Sequence, residues 1–245
     1  MAQSDGLKMK IFAKIRFYYG AATISFIAAG IMVPLMMIFP QKRSNILHYW
    51  NKVIIFFLGG KIVSHGKRDN TVDMFIANHQ GIIDIVSLEA AANTDIRWVA
   101  KKQLFDAPWF GYLLKLPNMI EVNRENKTGL VKLLRDAKET LESEVKRVIA
   151  IFPEGTRTDK QALLEFKGGT RVMAEKLELT IQPIVISNSK KLLNEHNRTA
   201  RNATVHLTYL EPFKVSKANK GWYADLRTTM QECIDTQYNE YKRER

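Results

Sequence analysis

The feature that most constrains this chain is residues 17–39, a stretch of 23 residues without a charged side chain. A helix needs about 20 apolar residues to cross a bilayer, so this stretch is long enough to do so. Basic residues flank it on both sides, namely Lys8, Lys10, Lys14 and Arg16 before it and Lys42, Arg43 and Lys52 after it. Asp5 is the only acid among residues 1–60. An apolar helix between basic flanks predicts attachment to a membrane with anionic headgroups.

How the apolar stretch sits in a membrane stays open at the level of sequence. Gly20, Gly30 and Pro34 interrupt it, and the proline would kink a straight helix. One interpretation is a single spanning helix. The other is a helical hairpin in one leaflet with both ends cytoplasmic, which explains why both flanks are basic. The length and late start of the stretch disfavour a cleaved signal peptide, and its lack of a polar face disfavours a soluble core helix.

Composition narrows the class of partner. The chain has 245 residues, 37 Lys and Arg against 25 Asp and Glu, and a net charge of +12. This excess requires an anionic partner such as nucleic acid, lipid headgroups or a phosphorylated substrate. A nucleic-acid-binding arm would be basic without an apolar run, so we expect no nucleic acid. The single cysteine, Cys233, excludes an intramolecular disulfide framework.

Beyond residue 60 the pattern changes to that of an α/β domain. Strand candidates are residues 71–77, 96–100, 118–122, 148–152, 181–187 and 203–210. Thr128 is a candidate cap for a helix that follows it, and an amphipathic helix from Trp222 closes the chain. Strands that alternate with helices predict a mixed, partly parallel sheet flanked by helices. We therefore divide the chain into a membrane-anchoring helical segment, residues 1–60, and an α/β domain, residues 61–245.

The first chemical cluster, NHQGIID at residues 78–84, follows a strand candidate. His79 and Asp84 would lie about 140° apart on a continuous helix. They can meet only if His79 precedes a helix that begins near Asp84, and Gly81 favours such a turn. An aspartate that accepts from one imidazole nitrogen leaves the other free to take a proton.

The second cluster, FPEGTRT at residues 152–158, also follows a strand candidate. Its turn presents the Glu154 carboxylate and the Arg157 guanidinium, and arginine suits bidentate recognition of phosphate. Lys167 opens a further basic, glycine-rich turn nine residues later. The other histidines, His48, His65, His196 and His206, are scattered along the chain and are interpreted as structural or surface residues, so we expect no metal site.

The two clusters resemble the signature blocks of the glycerolipid acyltransferases, N-H-x-x-x-x-D and F-P-E-G-T-R-[ST]. Three other segments resemble further blocks of that family in the same order, namely VAKKQL at 99–104, IEVNR at 120–124 and QPIVIS at 182–187. The chain departs from the family at Asn123, where Asp commonly precedes Arg124, and at Gln182, where Val or Ile is usual.

This resemblance implies acyl transfer from a thioester to the 2-hydroxyl of 1-acyl-sn-glycerol-3-phosphate, which gives phosphatidic acid. It implies that His79 is the general base and that Asp84 orients its ring. Glu154, Gly155, Thr156 and Arg157 would hold the acceptor, with Arg157 on its phosphate and with help from Lys101, Arg124 and, more weakly, Lys167. Backbone N–H groups near Gly81 or Gly155 are candidates for an oxyanion hole.

The same resemblance implies that no cofactor or metal is needed and that the co-substrate is acyl-CoA or acyl-carrier protein. It places the protein at a bacterial inner membrane, with the catalytic domain on the cytoplasmic face. Two alternatives remain. One is a related acyltransferase for another lysolipid, such as a lyso-ornithine lipid. The other is a non-catalytic protein that binds membrane lipid or nucleic acid.

Overall fold

The N-terminal apolar region is one long, irregular helix followed by a second helix. The computed structural model describes residues 2–123 and 127–241, and the side chains of residues 8–123 and 128–240. The region comprises α1 (Ala2–Ser25), a π-helical turn (Phe26–Met32), α2 (Val33–Ile38), a 3₁₀ turn (Pro40–Lys42) and α3 (Arg43–Phe57). The Val33 N–H donates to the Ala28 carbonyl, five residues back. This wider turn accommodates Pro34, which therefore changes the helical register without ending the helix.

A single large sheet forms the centre of the molecule. Its strands are β1 (Gly60–His65), β2 (Met74–Ala77), β3 (Asp95–Lys101), β4 (Ile120–Val122), β5 (Arg147–Ile151), β6 (Thr180–Ser187), β9 (Ala203–Tyr209) and β10 (Phe213–Lys214). Their order is β1-β9-β6-β2-β5-β3-β4, and β10 pairs with β6. Only the β6–β9 and β6–β10 pairings are antiparallel among the described strands of this sheet. A separate hairpin is formed by β7 (Leu193–Asn194) and β8 (Thr199–Ala200).

Helices cover both faces of the sheet, which confirms the predicted mixed α/β class. After α3 they are α4 (Ile82–Ala91), α5 (Lys102–Phe105), α6 (Tyr112–Lys115), α7 (Lys127–Glu142), α8 (Gly168–Lys176), α9 (Ser189–Leu192) and α10 (Trp222–Tyr241). Side chains of β2 alternate between two hydrophobic cores. Phe75 and Ala77 join the core that includes α3 and α4, whereas Met74 and Ile76 join the core under α7, α8 and α10.

The N-terminal helices are packed on the sheet. Met36 and Ile54 are fully buried and belong to the same core as Phe75. Residues 27–58 therefore contribute to a core shared with the sheet, and the division of the chain after residue 60 remains a prediction.

Two further details of the sequence can be located in the structure. Thr128 lies in α7, whose described part begins at Lys127, and the residues just before it lie outside the described residues. His65 and His206 are far apart in sequence, yet their rings stack and their facing nitrogens lie 2.9 Å apart, as expected of structural residues. The reason is topological, since β1 and β9 pair side by side although the two histidines are 141 residues apart in sequence.

Three adjacent parallel strands determine where a site can form. β2 lies between β5 and β6, with Ile76 paired to Ile151 on one side and to Pro183 on the other. Because parallel strands end at the same edge, the segments after β2, β5 and β6 meet there. Both chemical clusters of the sequence follow strands of this group.

Candidate active site

The first cluster forms a buried His–Asp pair between β2 and α4. The His79 Nδ1 atom lies 2.9 Å from Asp84 Oδ2. The same oxygen accepts hydrogen bonds from the backbone N–H groups of Gln80 at 2.5 Å and Gly81 at 2.8 Å. Asp84 is fully buried in the first turn of α4, where the helix dipole favours a negative charge. The turn predicted at Gly81 thus brings the imidazole onto the carboxylate.

The orientation of the imidazole follows from these contacts. Asp84 accepts, so the geometry assigns the His79 proton to Nδ1 and leaves the lone pair on Nε2. The His79 side chain is 11% exposed, which leaves only an edge of the ring open to a substrate. Nε2 is therefore the atom of this pair that can take a proton.

The second cluster clamps the backbone of His79. Glu154 accepts a hydrogen bond from the His79 N–H at 2.9 Å through Oε1 and one from the Leu164 N–H at 2.8 Å through Oε2. Thr158 N–H donates to the His79 carbonyl at 3.2 Å. Burial raises the pKa of Glu154, although these two backbone hydrogen bonds act in the opposite direction. Glu154 was expected to contact the acceptor, but both of its oxygens face the protein backbone, so it positions His79 instead.

An aromatic stack packs against one face of the His79 imidazole. The His79 ring lies parallel to the Phe152 ring, with centroids 3.9 Å apart and an interplanar angle of 7°. Phe152 in turn stacks on Trp98 at 5.2 Å, and the Trp98 Nε1–H donates to Glu89 Oε1 at 2.6 Å. Sequence reasoning missed Trp98 and Glu89, because nothing in their local sequence links them to residues 78–84.

The backbone N–H groups expected to form an oxyanion hole are already engaged. Gly81 N–H donates to Asp84, and Gly155 N–H donates to the Phe152 carbonyl at 3.1 Å. Gly155 has a φ of +72°, which glycine adopts without strain and which turns the chain back over Phe152. The N–H of Ile82, the first residue of α4, donates to Glu195. None of these three groups points into open space in the structure.

Arg157 is paired with a carboxylate that the sequence analysis did not identify. Its Nη1 atom contacts Glu195 Oε2. Glu195 Oε1 accepts from the Ile82 N–H at 2.6 Å, so one carboxylate joins the guanidinium to the N-terminus of α4. Glu195 follows β7 and lies 38 residues after Arg157, too far along the chain for a local motif to reveal it. A guanidinium and a helix N-terminus are together a set of donors suited to an anion.

Four other residues were predicted to bind substrate. Three of them lie in or beside the loop of residues 152–158 or at the end of β3, and the fourth lies outside the described residues. Thr156 is exposed beside Arg157. Lys167 is exposed too, and its backbone N–H donates to the Pro153 carbonyl at 2.8 Å, which attaches it to the 152–158 loop. Lys101 is exposed at the end of β3. Arg124 lies outside the described residues, so its placement stays a prediction.

The described histidines and acids do not form a metal centre. Across residues 2–123 and 127–241, no three His, Cys, Asp or Glu side chains are grouped so that they could hold an ion.

Comparisons with known proteins agree with this geometry. A sequence model of the family described as Acyltransferase matches residues 61–187. The 1-acyl-sn-glycerol-3-phosphate acyltransferase of Helicobacter pylori is 35% identical over 218 residues, which are 87% of this chain and 91% of that protein. The enzyme of the same name from Escherichia coli is 30% identical over 173 residues, which are 70% of this chain and 69% of that protein.

A solved structure shares the fold. The crystal structure of the 1-acyl-sn-glycerophosphate (LPA) acyltransferase PlsC from Thermotoga maritima superposes with a TM-score of 0.69 and 22% identity, covering 95% of this chain and 96% of that one. The match to the family model includes both His79 and Arg157, and the Helicobacter pylori relative is matched over most of its length. The chain belongs to the acyltransferase family.

Proposed function

We propose that this protein transfers a fatty acyl group from a thioester donor to the 2-hydroxyl of 1-acyl-sn-glycerol-3-phosphate, which gives phosphatidic acid. The observation that carries the proposal is the buried His79–Asp84 pair at the edge where β2, β5 and β6 end. The names of the Helicobacter pylori and Escherichia coli relatives support the same acceptor.

The reaction moves one proton from the acceptor hydroxyl to the departing thiolate, with His79 as its carrier. Nε2 of His79 removes the proton from the acceptor hydroxyl as its oxygen attacks the thioester carbonyl. The new C–O ester bond forms, the C–S bond breaks, and the departing thiolate takes the proton from the imidazolium. Asp84 holds the ring through Nδ1 and stabilises the transient positive charge. The acceptor is the nucleophile, so no acyl-enzyme is formed.

The acceptor phosphate would replace Glu195 as the partner of Arg157. A phosphate dianion carries more charge than a carboxylate and offers two oxygens to a guanidinium. The Arg157–Glu195 pair is partly exposed, with 41% and 29% of the two side chains accessible, so it can open at small cost. Lys101, Arg124 and Lys167 would add positive charge around this phosphate, and Thr156 would contribute a hydroxyl beside it.

The membrane would hold the protein by one face of its N-terminal helices. Lys8–Ile38 forms one helix whose length and composition would suffice to cross a membrane. One side of it is packed on the domain, where Ala13, Ile27 and Met36 are buried and Arg16 donates to the Leu58 carbonyl at 3.0 Å. A helix fixed to a protein surface along this length lies in one leaflet instead of spanning it.

The lipid-facing side is rich in exposed apolar residues. They include Phe12, Ile15, Tyr19, Phe26, Ile38, Phe56, Trp109 and Phe110. Trp109 lies outside the N-terminal region but its Nε1–H donates to the Ala29 carbonyl at 2.8 Å, which joins it to this surface. Such a patch with nearby aromatic and basic residues supports membrane association. We assign it to the cytoplasmic face of a bacterial inner membrane, where acyl-CoA or acyl-carrier protein would supply the acyl group.

A panel of acceptors tests the proposal. Purified protein in mixed micelles is given an acyl-CoA or an acyl-carrier protein with 1-acyl-sn-glycerol-3-phosphate, a lyso-ornithine lipid, glycerol-3-phosphate or no acceptor. We expect product with the lysophosphatidic acid alone. Product with the lyso-ornithine lipid in its place would transfer the activity to the rival acceptor, and no product with any acceptor would refute an acyl-transfer function.

A further inference from the structure

A cavity of about 680 Å³ opens beside the catalytic loop. It lies at the carboxyl ends of β2 and β6, where Gln80 follows the catalytic histidine and Ile186 and Ser187 end β6. Asn194 and Thr199 of the β7–β8 hairpin line one side, and Tyr238 of α10 lines another. Arg157 is not among the described residues that line it, so the cavity offers cations other than the one assigned to the acceptor phosphate.

The charged groups of the cavity favour an anion. Three basic side chains, Lys190, Lys191 and Arg201, line it together with a single acid, Asp159. Amide and hydroxyl side chains also line it, among them Gln80, Asn188 and Thr199.

Lys190 is the most informative of these cations. It is partly buried, yet within the described part of the chain its ammonium group makes neither an ion pair nor a hydrogen bond. Burial lowers the pKa of Lys190, and the charges of Asp159, Asp84 and Glu154 act in the opposite direction without contacting it. Lys190 lines the same cavity as Gln80, the residue that follows His79.

The Lys190 side chain is half-buried and no described group pairs with its ammonium, which leaves this cation available to a ligand in the cavity. An anion bound there would accept a charge-assisted hydrogen bond from it. The nearest candidate is an anion that takes part in the reaction, because the cavity and His79 are reached from the same edge of the sheet.

We propose that this cavity binds the phosphate of the phosphopantetheine arm of the thioester donor, with Lys190 as its main contact. This inference rests on the proposed function. Coenzyme A and acyl-carrier protein both carry the acyl group on such an arm, so one site serves either donor. The acceptor phosphate is assigned to Arg157, whereas no other described group is assigned to the donor. The arm would run from the cavity past Gln80 and present the thioester to His79.

Donor analogues with and without phosphate test the proposal. KM and kcat are measured for wild type, Lys190→Gln and Lys190→Arg with acyl-CoA, acyl-carrier protein and S-acyl-pantetheine, all with the same acyl chain. Lys176→Gln is the matched control, because Lys176 is an exposed lysine of α8 outside the cavity.

We expect Lys190→Gln to raise KM about tenfold for both phosphate-bearing donors, the loss typical of one hydrogen bond to a charged group. KM for S-acyl-pantetheine, KM for the acceptor and kcat should change less than about twofold, and Lys190→Arg should restore most of the affinity. Lys176→Gln should behave as wild type.

Several results would overturn the proposal. An unchanged donor KM would remove Lys190 from the site, and an equal rise for S-acyl-pantetheine would show that the phosphate is not what it binds. A rise in acceptor KM alone would assign the cavity to the acceptor. A rise for acyl-CoA but not for acyl-carrier protein would restrict the site to the nucleotide phosphates and contradict a shared phosphopantetheine contact.

A binding experiment separates this proposal from the proposed function. Calorimetric titration of unacylated coenzyme A and of pantetheine needs no turnover. Wild type should bind coenzyme A about tenfold more tightly than Lys190→Gln does, and pantetheine equally in both. If wild type binds coenzyme A in this way but acylates no lysophosphatidic acid, the proposed function fails and the donor site stands. Equal binding of coenzyme A by the two proteins would refute the donor site alone.

Discussion

His79 is held through its ring, its backbone N–H and its carbonyl. Its Nδ1 contacts Asp84, its N–H and carbonyl are held by Glu154 and Thr158, and its ring lies on Phe152. A general base must be held within a few tenths of an ångström of its working position, because a misplacement of 1 Å can lower a rate by about 100-fold. These contacts restrict the imidazole to an orientation in which Nε2 is the ring nitrogen that does not contact Asp84.

The Arg157–Glu195 pair leads to a prediction at the scale of single residues. Glu195→Gln keeps an oxygen for the Ile82 N–H but removes the charge that competes with a phosphate for Arg157. We therefore expect KM for the acceptor to fall by up to about fivefold, because a partly exposed ion pair is worth about 0.2–1 kcal/mol. Steady-state kinetics with varied lysophosphatidic acid measures the change.

The double variant Arg157→Ala, Glu195→Gln is the control for this prediction. In the Arg157→Ala background the Glu195 substitution should have no further effect on KM, since the two residues act through one another. A rise in acceptor KM on Glu195→Gln alone would show instead that Glu195 positions Arg157 for the phosphate.

The sequence predicts those site residues that lie close to one another along the chain. His79 and Asp84 lie within one short block, and so do Glu154 and Arg157, so their chemistry and order were sufficient to propose a site. Glu195, Trp98 and Lys190 reach the same place through the pairing of distant strands, and no local pattern marks them. The internal role of Glu154 was also hidden, because a carboxylate in a motif looks the same whether it faces a substrate or a backbone N–H.

At the scale of elements, α3 and α4 are joined by a buried polar contact. His48 Nδ1 donates a hydrogen bond to the Glu89 backbone carbonyl at 3.1 Å and lies 2.9 Å from Glu89 Oε2. The other carboxylate oxygen, Glu89 Oε1, accepts from the Trp98 Nε1–H. Burial lowers the pKa of His48, but the Glu89 carboxylate more than offsets this, so the pKa is raised above 6.5. The contact therefore links an N-terminal helix to the stack that supports His79.

This contact predicts a pH-dependent contribution to stability. A raised pKa in the folded state means that the protonated His48 stabilises the fold below pH 6.5 and that this contribution is lost as pH rises through the folded pKa. We expect the wild type to exceed His48→Gln in unfolding free energy by about 1 kcal/mol more at pH 5.5 than at pH 8.5, the difference between a charged and a neutral hydrogen bond.

Denaturant unfolding in detergent at the two pH values measures this difference. His196→Gln is the matched control, because His196 is exposed in the turn between β7 and β8. A stability gap for His48→Gln that stays constant between the two pH values would contradict the assignment of the charge to His48.

The observed ends of strands agree with the predicted ends where the sequence pattern was strong. Buried strands such as residues 148–152 and 181–187 were placed within one residue, because they are short apolar runs next to turn residues. The π-helical turn before Pro34 was not predicted, since a proline in a helical pattern can end the helix, kink it or widen one turn. Packing of the surrounding helix on the domain decides among these outcomes.

At the scale of the whole molecule, the positive charge is unevenly distributed. Lys8, Lys10 and Lys14 are exposed on α1, beside the apolar residues assigned to the lipid surface. Basic residues near an anionic bilayer each contribute about 1 kcal/mol to binding. The net charge of +12 thus serves two purposes in this account, since part of it draws the molecule to lipid and part surrounds the phosphates of the two substrates.

The membrane assignment predicts a charge-specific loss of binding. Replacing Lys8, Lys10 and Lys14 with Gln should weaken partitioning to vesicles that contain anionic lipid by about 100-fold, and should change binding to neutral vesicles far less. Co-sedimentation with vesicles measures both. The control replaces Lys138, Lys176 and Lys217 with Gln and should have little effect. These exposed lysines lie on or beside the helices that cover the core containing Met74 and Ile76. Equal losses of vesicle binding for the two triple variants would contradict the assignment of the α1 face to the membrane.

The role proposed for His79 is tested by the rate of phosphatidic acid formation by wild type and His79→Ala, with an acyl thioester and 1-acyl-sn-glycerol-3-phosphate. Loss of a general base lowers kcat by about 10²- to 10⁴-fold, and we expect a fall in that range with acceptor binding and thermal stability retained. His196→Ala, the same substitution at an exposed histidine, should leave kcat unchanged. A His79→Ala variant that turns over within tenfold of wild type would show that His79 does not remove the acceptor proton.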